Sequence, residues 1–399
     1  MKNNSPTLSL CMIVRDEALN LPRSLAPVRT SFDEIVVVDT GSTDGTPGLA
    51  RSYGAKVLNI DWPDDFAAAR NASLRAAAGD WIMWLDADNY IAPVHVEQLR
   101  RFLDDDRRSI LWCTEVVAST GERLVQKRVF PRRPEICFTG RVHEQLVHPP
   151  DYRSVFTPVE ILHWGYSDQA AARSKGERNL TLLEKMLREQ GPHFYLCYQM
   201  GRTLFNLRRF DQALVWLKKA TAFEQNESRN QGLYLHAHLL QAQTLDRLDR
   251  PPEAEHVLQS LIGKAPDYGP GHWACGRLKY ARGEYRSAAK HLQEFLDLGV
   301  HDPISGLNSS RMSFLAAMLL GKCWEKLSDL DKARQAYKTA ARIDGENPEP
   351  SLALARLSWL KGRTAEAREL LSQCLALRPN HRRARDLLNE MQNHARPPA

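Results

Sequence analysis

Residues 80–89 read DWIMWLDADN, and the fold turns on that stretch. Five apolar residues, Trp81 to Leu85, run straight into two carboxylates one residue apart, Asp86 and Asp88. An apolar, aromatic-rich run this short reads as a buried strand, because a buried helix needs more residues. Residues at alternate positions project to one side of a strand, so both carboxylates leave the strand end together. Two like charges so close repel, and either a water-filled loop or a cation is expected between them.

Working outward, three more strands are legible before this one: LSLCMIV (8–14), EIVVVD (34–39) and KVLNI (56–60). Helical patterns lie between them, at Glu17 to Val28, Thr46 to Tyr53 and Phe66 to Ala78, the last rich in alanine. Alternating strands and helices predict a mostly parallel, Rossmann-like α/β sheet with right-handed crossovers. Ligands bind such sheets at the carboxyl ends of the strands. The loops to inspect are therefore Arg15 to Glu17, Asp39 to Asp44, Asp61 to Asp65 and Asp86 to Asn89. Each alone reads as a solvated loop; four acidic or polar loops at one sheet edge favour a site.

The chain has 399 residues, which predicts two domains, with 43% apolar and 26% charged residues, as in soluble globular proteins. A net charge of +6 fits an anionic small substrate and gives no argument for nucleic acid. Seven cysteines are scattered with no C-x-x-C pair, the usage of reduced intracellular thiols, so a cytoplasmic location is expected. No secretory leader and no transmembrane segment is legible.

The pattern changes near residue 185, after which almost everything reads as helix and repeats. A small residue in one helix is followed twelve residues on by an alanine: Gly201 and Ala213, Ala242 and Ala254, Gly276 and Ala288, Gly321 and Ala333, Ala355 and Ala367. Successive units begin 41, 34, 45 and 34 residues apart, with insertions at 226–231 and 300–309. A helix-turn-helix unit of this period resembles the tetratricopeptide repeat, and about five units suffice for a continuous core. Such repeats build a surface for peptides, protein partners or self-association, or a rigid spacer. The expected division is 1–185 for the α/β domain and 186–399 for the repeats.

With the repeats in place, CMIVRDEALNLPRSL, DEIVVVDTGSTDGT and DFAAARNASLRAAAGDWIMWLDADN together resemble a family 2 glycosyltransferase of the GT-A fold. The pattern is similar to bacterial enzymes that join this domain to tetratricopeptide repeats, peptide S-glycosyltransferases among them. The resemblance implies a metal-dependent, inverting transfer from a UDP-sugar to a peptide, protein or glycan acceptor. It implies Mn²⁺ or Mg²⁺ on the D-x-D pair: Asp88 as direct ligand, Asp86 on the ribose or on the metal through water. Asp39 would read the uracil, with Thr40 in place of a second carboxylate. Glu17 would lie beside the nucleoside, where its alternative is a first-turn acid. Arg70 would reach the base or the diphosphate, unless it is a surface arginine.

For the acceptor side, QKRVFPRRPEICFTGRVHEQL carries Glu144 and His143 as candidate bases, Glu144 first. Both could instead be a structural pair. His163, in ILHWGY, is a candidate third metal ligand or a core histidine. Arg128, Arg132, Arg133 and Arg141 would neutralise diphosphate or coat the surface, and Trp112, Trp164 and Tyr166 would stack on sugar or fill the core. The repeats would present a polypeptide acceptor or hold a homodimer together.

Two rivals come from other classes. A nucleotidyltransferase would carry a glycine-rich basic loop after its first strand, and CMIVRDEALNLPRSL has no glycine. A transferase-like scaffold without catalysis is opposed by intact Asp86 and Asp88, although Asn89 and Thr40 depart from more acidic relatives.

Overall fold

The computed structural model describes residues 5–104, 107–119, 121–165, 169–223, 231–299 and 309–393. Tyr166 and most of the two predicted insertions lie outside them.

The first compact unit runs to Phe223. Its strands are β1 (Leu8–Val14), β2 (Glu34–Asp39), β3 (Lys56–Asn59), β4 (Trp81–Trp84), β5 (Asn89–Tyr90), β6 (Ser109–Val117), β7 (Arg123–Pro131), β8 (Cys137–Thr139), β9 (Gln145–Val147) and β10 (Arg153–His163). Eight form one sheet in the order β3-β2-β1-β4-β7-β6-β10-β5. β3, β2, β1 and β4 are mutually parallel, as are β6 and β10; β7 and β5 run antiparallel to their neighbours. β8 and β9 pair as a separate hairpin.

Helices α1 (Leu21–Leu25), α2 (Thr46–Ser52), α3 (Phe66–Ala76) and α4 (Pro93–Arg100) connect the strands. α1 is shorter than the predicted Glu17 to Val28 because Pro22, which has no N–H to donate, stands in its first turn. The alternation of β1 explains its unbroken apolar run. Leu8, Leu10, Met12 and Val14 pack with Leu21, Leu25, Ala50, Val96 and Leu99 on one face. Cys11 packs with Ala67, Ile82 and Phe138 on the other. Both faces are covered, as a parallel sheet requires. The unit continues through α5 (Gln169–Gln190), α6 (Phe194–Asn206) and α7 (Phe210–Ala222).

The second unit holds α8 (Gln231–Arg247), α9 (Pro251–Lys264), α10 (Gly269–Ala281), α11 (Tyr285–Leu298), α12 (Ser309–Lys326), α13 (Leu330–Ile343), α14 (Pro348–Leu360), α15 (Thr364–Leu377) and α16 (Arg382–Asn393). Each predicted repeat is a helical hairpin, the first being α6 with α7 and the last α14 with α15. The alanine of every pair is buried: Ala213, Ala254, Ala288, Ala333 and Ala367 expose at most 1%. Their partners are small for a visible reason. A Cβ on Gly276 would meet Leu292 Cγ at 2.7 Å, and one on Gly321 would meet the Tyr337 ring at 2.4 Å. Among the described residues no helix is long and apolar enough to cross a membrane.

These close approaches set a sign. Tyr337 is buried and its hydroxyl donates to Glu325 at 2.5 Å, so the ring cannot swing clear. Overpacking costs about 1–3 kcal/mol, against about 1 kcal/mol gained by alanine in a helix. Gly321→Ala is therefore expected to lower the urea midpoint. Gly263→Ala in α9, where nothing lies within 4 Å, should raise it or leave it unchanged. A stabilised Gly321→Ala protein would contradict the packing account.

Candidate functional site

The carboxyl ends of β1, β2 and β4, the start of α3, the approach to β9 and one face of α5 surround a cleft of about 430 Å³. All four predicted loops reach it, through Arg15 and Glu17, Thr40, Trp62, and Asp86 with Asp88. Of the predicted site residues, Glu17, Arg70, Asp86, Asp88, His143, Glu144 and His163 line it together. Asp39 does not. It is buried one residue behind Thr40, and its carboxylate accepts from the N–H groups of Gly41 and Ser42 at 3.2 and 3.1 Å and from the Ser42 hydroxyl.

Arg70 organises the centre. It is 6% exposed. Its Nη2 donates to Asp86 Oδ1 at 2.7 Å and its Nε to Glu144 Oε1 at 2.6 Å. The guanidinium lies 4.1 Å above the Trp84 ring, and that of Arg128 3.8 Å from the same ring, a favourable cation–π geometry. One arginine thus ties β4 to the loop before β9. Burial by itself would raise the Asp86 carboxyl, but Arg70 and Arg128 outweigh it and hold it at about 2.

Beneath the acidic pair sits Asn89, with no exposed surface. Its Oδ1 accepts from the Asp86 N–H at 3.0 Å and from Arg128 Nη1 at 3.3 Å. Both partners are donors, so the amide can face only one way, and its Nδ2 points to Glu115 (3.4 Å) and His163 Nδ1 (3.2 Å). Arg128 also pairs with Glu115. An aspartate at 89 would bring a second carboxylate beside Glu115. The neutral amide is what this buried network requires.

The consequence appears at His163. In the neutral ring Nδ1 carries a lone pair, and it lies 3.5 Å from Asp88 Oδ1. That lone pair receives the Asn89 N–H, and the Asp88 carboxylate lies beside it. Contact with Asp88 accordingly raises the His163 pKa, against the effect of burial. Asp88 has no lysine or arginine within ion-pairing distance among the described residues, whereas Asp86 has two. Glu17 feels the same excess: burial raises it, and Asp88 and Asp86 add to the rise against the Asn20 hydrogen bond.

Glu144 is nearly buried and aimed by Arg70. His143 adopts φ +54°, and its main-chain oxygen accepts from the Tyr195 hydroxyl at 3.0 Å. Its Nε2 is buried without a partner. Burial first, then Arg202 and Lys175, push the ring down to about 4 against Glu144.

Basic residues of α5 escaped the sequence reading. Lys175, Arg178 and Asn179 of α5 line the cleft, with Arg178 5.0 Å over the Phe66 ring. Spacing of three and four residues sets them on one helix face, the signal that was present. Other candidates lie elsewhere. Arg141 pairs with Glu189 at 2.6 Å, Trp112 stacks on Phe156, and Trp164 is half exposed with Arg23 over it. Among the described residues no group of three or more His, Cys, Asp and Glu side chains forms a complete metal cage.

His143 gives a pH signature. Its folded pKa lies below the unfolded 6.5, so its contribution to stability is present above pH 6.5 and lost as pH falls through about 4. His143→Asn, which tolerates positive φ, should lose less stability than the parent between pH 6.5 and 4 in urea titrations. In NMR, the His143 ring of the parent should stay neutral at pH 5.5; a charged ring there would refute the burial argument.

Glycosyl transferase family 2 matches residues 9–158, and tetratricopeptide repeats match 194–227, 275–348 and 326–391. The chain is 38% identical over 224 residues to a TPR repeat-containing protein of Synechococcus elongatus, covering 53% of this chain and 56% of that one. It is 27% identical over 231 residues to the SPbeta prophage-derived glycosyltransferase SunS of Bacillus subtilis, covering 55% and 54%. The chain thus spans about half the length of the curated relatives it matches. The solved structure of YrrB, a TPR protein with an unusual peptide-binding site, superposes with TM-score 0.41 at 15% identity, covering 52% of this chain and 97% of that one. Residues 9–158 belong to glycosyl transferase family 2, and tetratricopeptide repeats follow them in the same chain.

Proposed function

We propose that the chain is a metal-dependent, inverting glycosyltransferase that takes its sugar from a UDP-sugar. The observation that carries this reading is the division of labour in the acidic pair. Asp86 is neutralised by Arg70, while Asp88 faces the cleft with only a histidine beside it. The donor set fits a divalent cation in part. Asp88 Oδ1 and His163 Nδ1 are 3.5 Å apart, against roughly 3 Å for adjacent corners of an octahedron with bonds near 2.1 Å. Mn²⁺ or Mg²⁺ commonly takes one or two protein ligands, with phosphate oxygens and water completing the shell. The ion would supply Lewis-acid stabilisation of the departing diphosphate.

The chain's own groups do the rest. Lys175 and Arg178 line the same cleft as the carboxylates and suit the diphosphate charge. Glu144, held by Arg70, accepts the acceptor's proton as the nucleophile attacks the anomeric carbon from the face opposite the diphosphate. His143, pushed down to about 4, holds a proton poorly and is second to it. Glu17 borders the nucleoside. Asp39 contributes to the base site through the turn it holds and through Thr40, which does line the cleft. On this reading residues 1–185 carry the chemistry, and 186–399 present a peptide or protein acceptor or join two copies.

The test is hydrolysis of a panel of UDP-sugars with Mn²⁺. Asp88→Ala should lower the rate by about 100-fold or more, as loss of a group that stabilises transition-state charge does. Glu144→Gln should lower transfer while leaving UDP affinity unchanged. Full activity in Asp88→Ala would overturn the metal role. Absence of both hydrolysis and Mn²⁺-dependent UDP binding would favour the scaffold.

A further inference from the structure

The two halves of α3 face different spaces. Phe66 and Arg70 line the cleft, whereas Leu74 and Arg75 line a second cavity, also of about 430 Å³. This cavity lies at the starting end of β4 and the finishing end of β7, away from the carboxyl ends of the parallel strands. None of the residues that line the first cleft lines it. Its volume falls in the range of small-molecule sites.

The lining has two characters. Leu74, Phe130 and Ile136 give an apolar floor, and Phe130 and Ile136 are buried core residues. Arg75, Arg132 and Arg133 stand around it. Among the described residues Arg75 and Arg133 pair with no carboxylate. Arg132 spends its Nε on the Gly79 carbonyl at 2.9 Å, which leaves its outer N–H groups. The nearby Glu135 carboxylate accepts instead from the Tyr152 hydroxyl at 3.0 Å. Five other arginines of this unit, Arg70, Arg100, Arg123, Arg128 and Arg141, do pair with acids. A last-turn position explains Arg75 through the helix dipole. It does not explain three arginines lining one apolar cavity.

We infer that this cavity binds a phosphate ester carried on an apolar or aromatic body. Guanidinium groups pair with phosphate through parallel hydrogen bonds, and three of them exceed what one carboxylate can engage. The apolar floor takes the body of the ligand, and the arginines take the head. The inference is independent of the UDP-sugar reading, because it uses none of the cleft's residues.

A thiol gives the readout. Cys137 lines this cavity and is partly exposed, while the other six cysteines are buried. The full chain is labelled with a small thiol reagent, with naphthyl phosphate, naphthol or inorganic phosphate as probes, and labelling at Cys137 is followed by mass spectrometry. Naphthyl phosphate should slow labelling about tenfold at ten times its Kd, and the other two probes much less at the same concentration. In an Arg75→Ala, Arg133→Ala double variant, whose changes lie at the exposed surface, half-protection should need about 100-fold more probe. Asp88→Ala should protect like the parent. Equal protection by naphthol, no protection at all, or protection unchanged in the double variant would overturn the proposal. Loss of protection in Asp88→Ala would do so too, since the probe would then be acting from the cleft.

Discussion

Arg70 is the constraint on which the site depends. It comes from an alanine-rich helix, is almost wholly buried, and holds carboxylates from two separate segments, Asp86 at the end of β4 and Glu144 before β9. Removing one member of a fully buried ion pair costs about 3–5 kcal/mol. The Asp86 side chain is 38% exposed, so solvent screening brings the cost here toward the lower end. The larger consequence is positional. With Arg70 in place, the strand end and the loop before β9 are tied to one side chain. Without it, Glu144 would lose the cation it is paired with, and Asp86 would keep only Arg128, at 4.0 Å.

The same arginine makes Asp86 and Asp88 electrostatically unequal. Asp86 is already satisfied, and its N–H is anchored to Asn89, whose amide nitrogen in turn contacts His163 Nδ1 beside Asp88. The chain of contacts from Arg128 and Glu115 through Asn89 is buried and polar, so each member must be paired. Its net effect is to concentrate unbalanced negative charge at Asp88 and Glu17. Lys175 and Arg178 of α5 add positive charge to the same cleft.

Much of this was legible in the sequence. The apolar runs 8–14 and 34–39 coincide with β1 and β2, because strands buried on both faces leave no polar interruption to blur their ends. The small-residue pairs marked all the hairpins, because helices that approach so closely leave no room for larger side chains. What escaped notice depends on long-range contacts. Arg70 meets Glu144 from 74 residues away, and nothing local says so. α5 reads as one more amphipathic helix, and its pattern does not say that one face meets the cleft. Asp39 illustrates competition of another kind: two N–H groups of the following turn lie nearer to its carboxylate than the cleft does. Asn89, a departure from an acidic motif by sequence, becomes intelligible only beside Glu115 and Arg128.

The central claim is that Asp88 and His163, with a nucleotide diphosphate, make a divalent-cation site. Titration of Mn²⁺ followed by electron paramagnetic resonance tests it most directly. With UDP present, the free Mn²⁺ signal should fall on adding the parent protein by more than UDP alone accounts for, and Asp88→Ala should abolish that extra loss. If the signal with UDP is the same with and without the parent protein, or if Asp88→Ala binds as the parent does, the account is wrong.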